Sequence, residues 1–84
     1  MGNNLNKPLK VGATIGIIGG GQLGRMLVMS GKKMGFQMIV LDPTLNSPAG
    51  QVADRQIVAA FEQISALTEL AELCDVITYE FENI

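Results

Sequence analysis

The chain has 84 residues, 48% hydrophobic and 17% charged, with a formal net charge of −2. This length allows one small domain, and the composition is typical of a globular core rather than of a disordered tail. Histidine is absent and Cys74 is the single cysteine, which excludes imidazole catalysis, an internal disulfide and a thiolate metal site within the chain. Without a basic cluster or a long apolar run, neither nucleic acid nor a membrane is an expected partner.

The N-terminal residues 1–13 are predicted to form a flexible leader, because asparagine, proline and glycine discourage regular structure there. This stretch is polar and does not resemble a signal peptide. A lone free thiol fits a reducing compartment, so we expect a cytoplasmic location.

The first predicted strand, residues 14–19, is apolar on both faces, as in a parallel strand covered by helices on both sides. A glycine turn follows it, and a helical pattern begins at Leu23. Gly31 is predicted to allow close packing of this helix on the sheet, and Gly35 to cap its C-terminus. The inward face of the helix is predicted to consist of Leu23, Leu27, Ser30 and Met34.

The glycine turn, Gly19 to Gly24, has the pattern G-x-G-x-x-G between a strand and a helix. Gly19 would allow a tight reversal, Gly21 would let the backbone approach a ligand, and Gly24 would let helix and strand pack. Free N–H groups at the start of the helix favour an anion or a hydrogen-bond acceptor. Because such turns also occur without a ligand, the pattern needs support from elsewhere in the chain.

Asp42 provides part of that support at the end of the second predicted strand, residues 37–42. It follows the glycines by about 20 residues, where a carboxylate can bind ribose hydroxyls. An aspartate before Pro43 equally suits a turn, and residues 43–51 are predicted to form a surface loop. The combination predicts a nucleotide or another ribose-bearing ligand and leaves open which one.

The rest of the chain completes an α/β pattern. The predicted elements are a short helical turn at 52–54, a strand at 56–58, a helix from an N-cap at Ser65 to Leu73, and a strand at 75–79. Right-handed crossovers then give a doubly wound, Rossmann-like parallel sheet with strand order 3-2-1-4. Its carboxyl edge would collect the glycine turn, Asp42 and the segment from Glu80 to Asn83.

Two of these segments resemble one known family. Residues 17–26 read I-I-G-G-G-Q-L-G-R-M, and residues 78–83 read T-Y-E-F-E-N. Together with V-L-D-P at 40–43, they resemble the N-terminal part of the N5-carboxyaminoimidazole ribonucleotide synthetases, from about Ile15 to Ile84. This combination is far more specific than the glycine pattern alone.

The resemblance implies an ATP-grasp ligase that is similar to biotin carboxylase. Such an enzyme uses ATP, Mg²⁺ and bicarbonate to carboxylate 5-aminoimidazole ribonucleotide in purine biosynthesis, and it is a homodimer. Residues 14–84 would be its N-terminal pre-ATP-grasp domain, with the missing ATP-grasp domain beyond Ile84. By itself the chain is expected to be inactive and to bind no cofactor.

The residue roles that the resemblance implies concern substrate binding rather than bond breaking. Gln22 and Leu23 occupy the turn where the related glycinamide ribonucleotide transformylase contacts its ribonucleotide. Glu80 matches a substrate-binding glutamate, and Asp42 would lie near the ribose. The predicted substrate-binding residues are Gly21, Gln22, Leu23, Asp42, Glu80 and Asn83, and no catalytic or metal-binding residue is predicted.

The residues alone leave two other functions open. The three spaced glycines and Asp42 also satisfy the fingerprint of an NAD-binding Rossmann domain of an oxidoreductase, although that fingerprint does not require the Y-E-F-E-N segment. The other possibility is a non-enzymatic α/β module that self-associates through exposed apolar surface.

Overall fold

The computed structural model describes residues 10–79, and within them six elements form an α/β fold. All three strand pairings are parallel, and the strand order is β3-β2-β1-β4, so the predicted order 3-2-1-4 is confirmed. The elements in chain order are β1 (Thr14–Ile18), α1 (Gln22–Lys33), β2 (Gln37–Asp42), β3 (Arg55–Val58), α2 (Ile64–Leu73) and β4 (Val76–Tyr79).

The register aligns the carboxyl ends of three strands. Ile18 at the end of β1 lies beside Leu41 of β2 on one side and beside Tyr79 of β4 on the other. Loops that leave these strands therefore begin at the same edge of the sheet, where open α/β sheets bind ligands.

Apolar side chains on both faces of the sheet build the core, because successive residues of a strand point to opposite faces. One cluster lies under α2 and consists of Ile18, Ile39, Leu41, Ile57, Ala66 and Leu70. The other lies under α1 and consists of Ile17, Val28, Met38, Val40 and Ala49. The prediction that β1 is buried on both faces is confirmed.

Helix α1 meets the sheet with a different face from the predicted one. It buries Gly24, Val28 and Gly31, whereas Leu23 and Met34 are 42% and 62% exposed. The physical reason is close approach, since a Cβ on Gly31 would collide with the Sδ atom of Met38. The predicted role of Gly31 is thus confirmed, but the bulky side chains lie beside the contact rather than in it.

The displaced side chains of α1 border an apolar groove. Leu27, Ser30 and Met34 line it from the helix, and Ile15 and Val76 line it from the sheet, around a volume of about 290 Å³. The apolar residues of α1 therefore face both the sheet and this groove.

Gly35 ends α1 as predicted, with a φ of +92° that favours glycine. The Phe36 N–H donates to the carbonyl of Gly31 at 3.0 Å, and the Gly35 N–H donates to the carbonyl of Lys32 at 3.0 Å. These two bonds satisfy carbonyls that the end of the helix would otherwise leave unpaired.

The predicted N-cap of α2 was wrong. Gln63, with an extended backbone, is the cap, and its carbonyl accepts the N–H groups of Ala66 and Leu67, both at 3.1 Å. A turn that joins the Gln63 N–H to the carbonyl of Ala60 starts the helix two residues earlier than the hydroxyl of Ser65 suggests. No helix within residues 10–79 is long and apolar enough to cross a membrane.

Candidate ligand-binding turn

The glycine turn leaves β1 at the carboxyl edge of the sheet. Gly19 has a φ of +108°, so the tight reversal predicted there is confirmed, and its N–H donates to the carbonyl of Leu41 at 2.9 Å. Gly21 is the N-cap of α1 and, like any glycine, has no side chain that could bond the helix start. The first amides of α1 are therefore not capped by the residue that precedes them.

Three consecutive backbone donors form the start of the helix. Within residues 10–79, the N–H groups of Gly21, Gln22 and Leu23 have no hydrogen-bond partner, whereas the Arg25 N–H donates to the carbonyl of Gly21 at 2.9 Å. Such donors at the positive end of a helix suit an anionic oxygen or a neutral acceptor. The structure thus brings three of the predicted site residues together as adjacent donors.

Asp42 reaches the same turn, but its carboxylate binds protein backbone. The side chain is buried at the end of β2. Oδ2 accepts the N–H of Gly20 at 2.7 Å, and Oδ1 accepts the N–H of Thr44 at 2.8 Å. Hydrogen bonds to an ionised carboxylate are among the stronger ones in proteins. Asp42 therefore joins the end of β2 both to the glycine turn and to the loop after it.

The loop after β2 is predicted to lie on the surface, and this prediction is wrong for two of its residues. Ser47 and Ala49 are buried, at 1% and 0% exposure. The Ala49 N–H donates to the carbonyl of Gly20 at 2.9 Å, and Ser47 Oγ accepts the N–H of Gly50 at 3.0 Å. The loop thus packs directly against the glycine turn.

Sequence reasoning missed Ser47 as a residue of this site. A Cβ on Gly20 would lie 2.9 Å from Ser47 Cβ and 3.1 Å from Asp42 Cβ, so the two side chains enclose Gly20. A serine among Pro, Asn and Gly predicts only a loop. No local signal distinguishes it, because the contact depends on how the loop folds back over β1.

Arg25 adds a further tie between α1 and the loop. Its Nη1 atom donates to the carbonyl of Pro48 at 3.1 Å, and the side chain is half-buried. The guanidinium therefore stabilises the loop next to the turn.

Two predicted site residues, Glu80 and Asn83, lie outside the described residues. β4 ends at Tyr79, next to Ile18 of β1. Within residues 10–79 no group of three acidic, cysteine or histidine side chains could hold a metal ion. The groups that the described part of the site offers to a ligand are backbone N–H donors.

Cys74 lies away from the turn, before β4 at the opposite edge of the sheet. Burial raises the pKa of its thiol, and the nearby Asp75 carboxylate raises that pKa further. The thiol is therefore protonated at neutral pH. Its Sγ atom is 2.7 Å from the position that a Cβ on Gly16 would take, which gives it a packing role.

Comparison with known proteins gives consistent matches. A family model, the ribonucleotide synthetase preATP-grasp domain, matches residues 12–84. The N5-carboxyaminoimidazole ribonucleotide synthase of Brucella melitensis is 62% identical over 76 residues, which are 90% of this chain and 21% of that protein.

Solved structures agree with this match. The N5-carboxyaminoimidazole synthetase of Staphylococcus aureus, complexed with ADP, gives a TM-score of 0.86 at 56% identity and covers 90% of this chain and 20% of that one. The synthase of Aspergillus clavatus, in complex with ADP and 5-aminoimidazole ribonucleotide, gives a TM-score of 0.76 at 42% identity and covers 88% and 20%. This chain spans about a fifth of the length of these relatives.

Proposed function

Because this chain belongs to the ribonucleotide synthetase preATP-grasp domain family, we propose that it is the substrate-binding N-terminal domain of an ATP-dependent carbon–nitrogen ligase. The substrate is 5-aminoimidazole ribonucleotide, and the product is its N5-carboxy derivative in purine biosynthesis. The observation that carries the proposal is the 62% identity to the Brucella synthase across 90% of the chain. The family resemblance predicted from the sequence is confirmed.

The NAD-binding alternative receives no support from these matches. The geometry of Asp42 also argues against it. An NAD site of this type needs the carboxylate for the ribose hydroxyls. Here both carboxylate oxygens accept backbone N–H groups, from Gly20 and Thr44.

In the proposed site, the domain binds and orients the ribonucleotide and does not break bonds. Gly21, Gln22 and Leu23 provide backbone donors for an acceptor or anionic oxygen of the substrate, and the missing side chain of Gly21 allows close approach. Glu80 and Asn83 contact the substrate from the residues that follow β4, and Asp42 supports the glycine turn through its bond to the Gly20 N–H. Holding the amine in place before it reacts lowers the entropic part of the barrier.

ATP and bicarbonate would supply the activated carboxyl group, with Mg²⁺ accompanying ATP. Two relatives of known structure are complexed with ADP, which supports the use of ATP by the full-length enzyme. We assign no metal ligand to residues 10–79, in which no group of three acidic, cysteine or histidine side chains could hold a metal ion. We also propose no catalytic group among them. These groups would belong to an ATP-grasp domain outside this chain. Homodimerisation and a cytoplasmic location stay predictions.

A full-length protein that carries this domain is expected to form ADP only when both 5-aminoimidazole ribonucleotide and bicarbonate are present. A coupled assay for ADP measures this directly, and omission of each substrate in turn is the control. ADP formation that does not depend on the ribonucleotide would contradict the proposal. So would tight binding of NAD to the chain in a parallel calorimetric titration.

Glu80→Gln in the full-length protein is expected to raise the KM for the ribonucleotide by about 10-fold or more, because a hydrogen bond to a charged group contributes about 1.5–3 kcal/mol. Steady-state kinetics with varied ribonucleotide measure the change. Glu72→Gln is the control, because Glu72 is exposed near the C-terminal end of α2, at the edge of the sheet opposite the glycine turn. An unchanged KM for Glu80→Gln would remove this residue from the site.

A further inference from the structure

We propose that Asp42 and Ser47 are positioning residues, which hold the glycine turn in the shape that binds the ligand. These two residues and the Gly20 that they enclose form a clamp. The inference deepens the proposed function and rests on it, because the ligand is taken to be 5-aminoimidazole ribonucleotide. It differs from the sequence-based expectation, in which Asp42 lies near the ribose as a substrate contact.

The first half of the clamp is the carboxylate. Asp42 Oδ2 accepts the N–H of Gly20 at 2.7 Å in a buried position. A buried carboxylate needs such donors, since an unpaired charge in the interior is costly. The Gly20 N–H is thereby committed to the protein, and the ligand-facing donors begin one residue later, at Gly21.

The second half is the loop with Ser47. Its side chain packs against Gly20 so closely that a Cβ on Gly20 would be 2.9 Å from Ser47 Cβ. Ser47 Oγ accepts the N–H of Gly50 at 3.0 Å, which shapes the turn containing Ala49. From that turn, the Ala49 N–H donates to the carbonyl of Gly20 at 2.9 Å.

The bond from Ala49 sets the direction of a ligand-facing donor. The carbonyl of Gly20 and the N–H of Gly21 belong to one planar trans peptide unit, in which they point in opposite directions. Because Ala49 holds the carbonyl on the loop side, the Gly21 N–H must point away from the loop. The loop thus orients the first ligand-facing donor without touching the ligand.

Loosening the clamp should therefore weaken binding more than chemistry. A donor that is already oriented does not have to be ordered when the ligand binds. When that order is lost, the cost appears in the KM for the ribonucleotide. The ATP site and the reacting groups are proposed to lie elsewhere, so kcat and the KM for ATP should change little.

The kinetic test uses Ser47→Ala in the full-length protein. We expect the KM for the ribonucleotide to rise about 5-fold, equivalent to the ~1 kcal/mol of one hydrogen bond, with kcat and the KM for ATP within twofold of wild type. Asp42→Asn should raise the same KM further, because its amide cannot accept both N–H groups. Ser65→Ala, an exposed serine on α2, is the matched control and should change none of these constants.

A second measurement uses amide NMR of the wild-type chain and of Asp42→Asn. In amide NMR during titration with the ribonucleotide, the signals of Gly21, Gln22 and Leu23 should move, whereas that of Gly20 should stay in place. In Asp42→Asn the Gly20 amide should shift upfield and exchange its hydrogen faster, because its carboxylate partner is gone. If the Gly20 amide in wild type moves with ligand as much as that of Gly21, the clamp is overturned.

The outcomes separate the two proposals. If the wild-type enzyme does not turn over the ribonucleotide, the proposed function fails, and the Gly20 amide in Asp42→Asn still decides whether the clamp exists. If wild type is active and Ser47→Ala keeps the wild-type KM, the positioning role fails. Circular dichroism at the assay temperature shows whether each variant is folded. If Asp42→Asn is not folded, the KM of Ser47→Ala for the ribonucleotide decides whether the positioning role holds.

Discussion

Leu70→Ala is expected to lower the free energy of unfolding of this chain by about 3 kcal/mol, within the range for buried leucines. Leu70 is fully buried on α2, in the cluster between this helix and the sheet. Its Cδ1 atom is 3.1 Å from the position that a Cβ on Gly16 would take, so it fills the space above a residue without a side chain. Alanine would leave a cavity there that the backbone of β1 cannot close.

Urea denaturation followed by circular dichroism measures this loss. Domains of this size have total stabilities of only about 5–10 kcal/mol, so the midpoint should move markedly. Leu73→Ala on the same helix is the matched control, because Leu73 is 38% exposed and should cost about 1 kcal/mol or less. Equal losses for the two variants would show that Leu70 does not hold α2 on the sheet.

Gly20→Ala is expected to lower the free energy of unfolding by about 2 kcal/mol, in the range for overpacked sites. The new methyl group would be 2.9 Å from Ser47 Cβ and 3.1 Å from Asp42 Cβ. Both atoms are attached directly to the backbone, so neither can rotate away. The loop would have to move, and with it the Ala49 N–H that orients the peptide between Gly20 and Gly21.

Denaturation of single and double variants measures this effect. The double variant Gly20→Ala with Ser47→Gly should recover part of this loss, because the second change removes the Ser47 side chain that the new methyl group would meet. A double-mutant cycle then gives the coupling energy between the two positions. Gly31→Ala is the contrasting control. Its methyl group would meet the flexible end of Met38, and the better helix propensity of alanine offsets some of the cost. Additive losses in the cycle would contradict direct contact between Gly20 and Ser47.

Much of the fold could be predicted from the sequence because the signals are local. Apolar runs of strand length, the helical period after Leu23 and the glycine at position 35 depend on neighbouring residues only. Right-handed crossovers then allow few orders for four parallel strands, and the observed order is the predicted one. The errors at helix boundaries and faces, such as the N-cap of α2, arose where local preferences competed with packing.

The site could be predicted only in part. The glycine turn and Asp42 were expected to meet, and they do. The bond between Asp42 and Gly20 was not foreseen, because it depends on the exact distance between the ends of two strands. Asp54 is a similar case, since its Oδ2 atom accepts the N–H of Met38 at 2.7 Å and thus ties the loop to β2.

The sequence by itself determined the order and type of the elements, the position of the glycine turn and the family. Each of these follows from residues that are near one another in the chain, or from residue identities in a motif. Only the tertiary structure decided that α1 contacts the sheet through Gly24, Val28 and Gly31, and that Ser47 is buried against the turn. Both depend on how closely segments distant in sequence approach each other, and steric fit at that range leaves no periodic signal in the sequence.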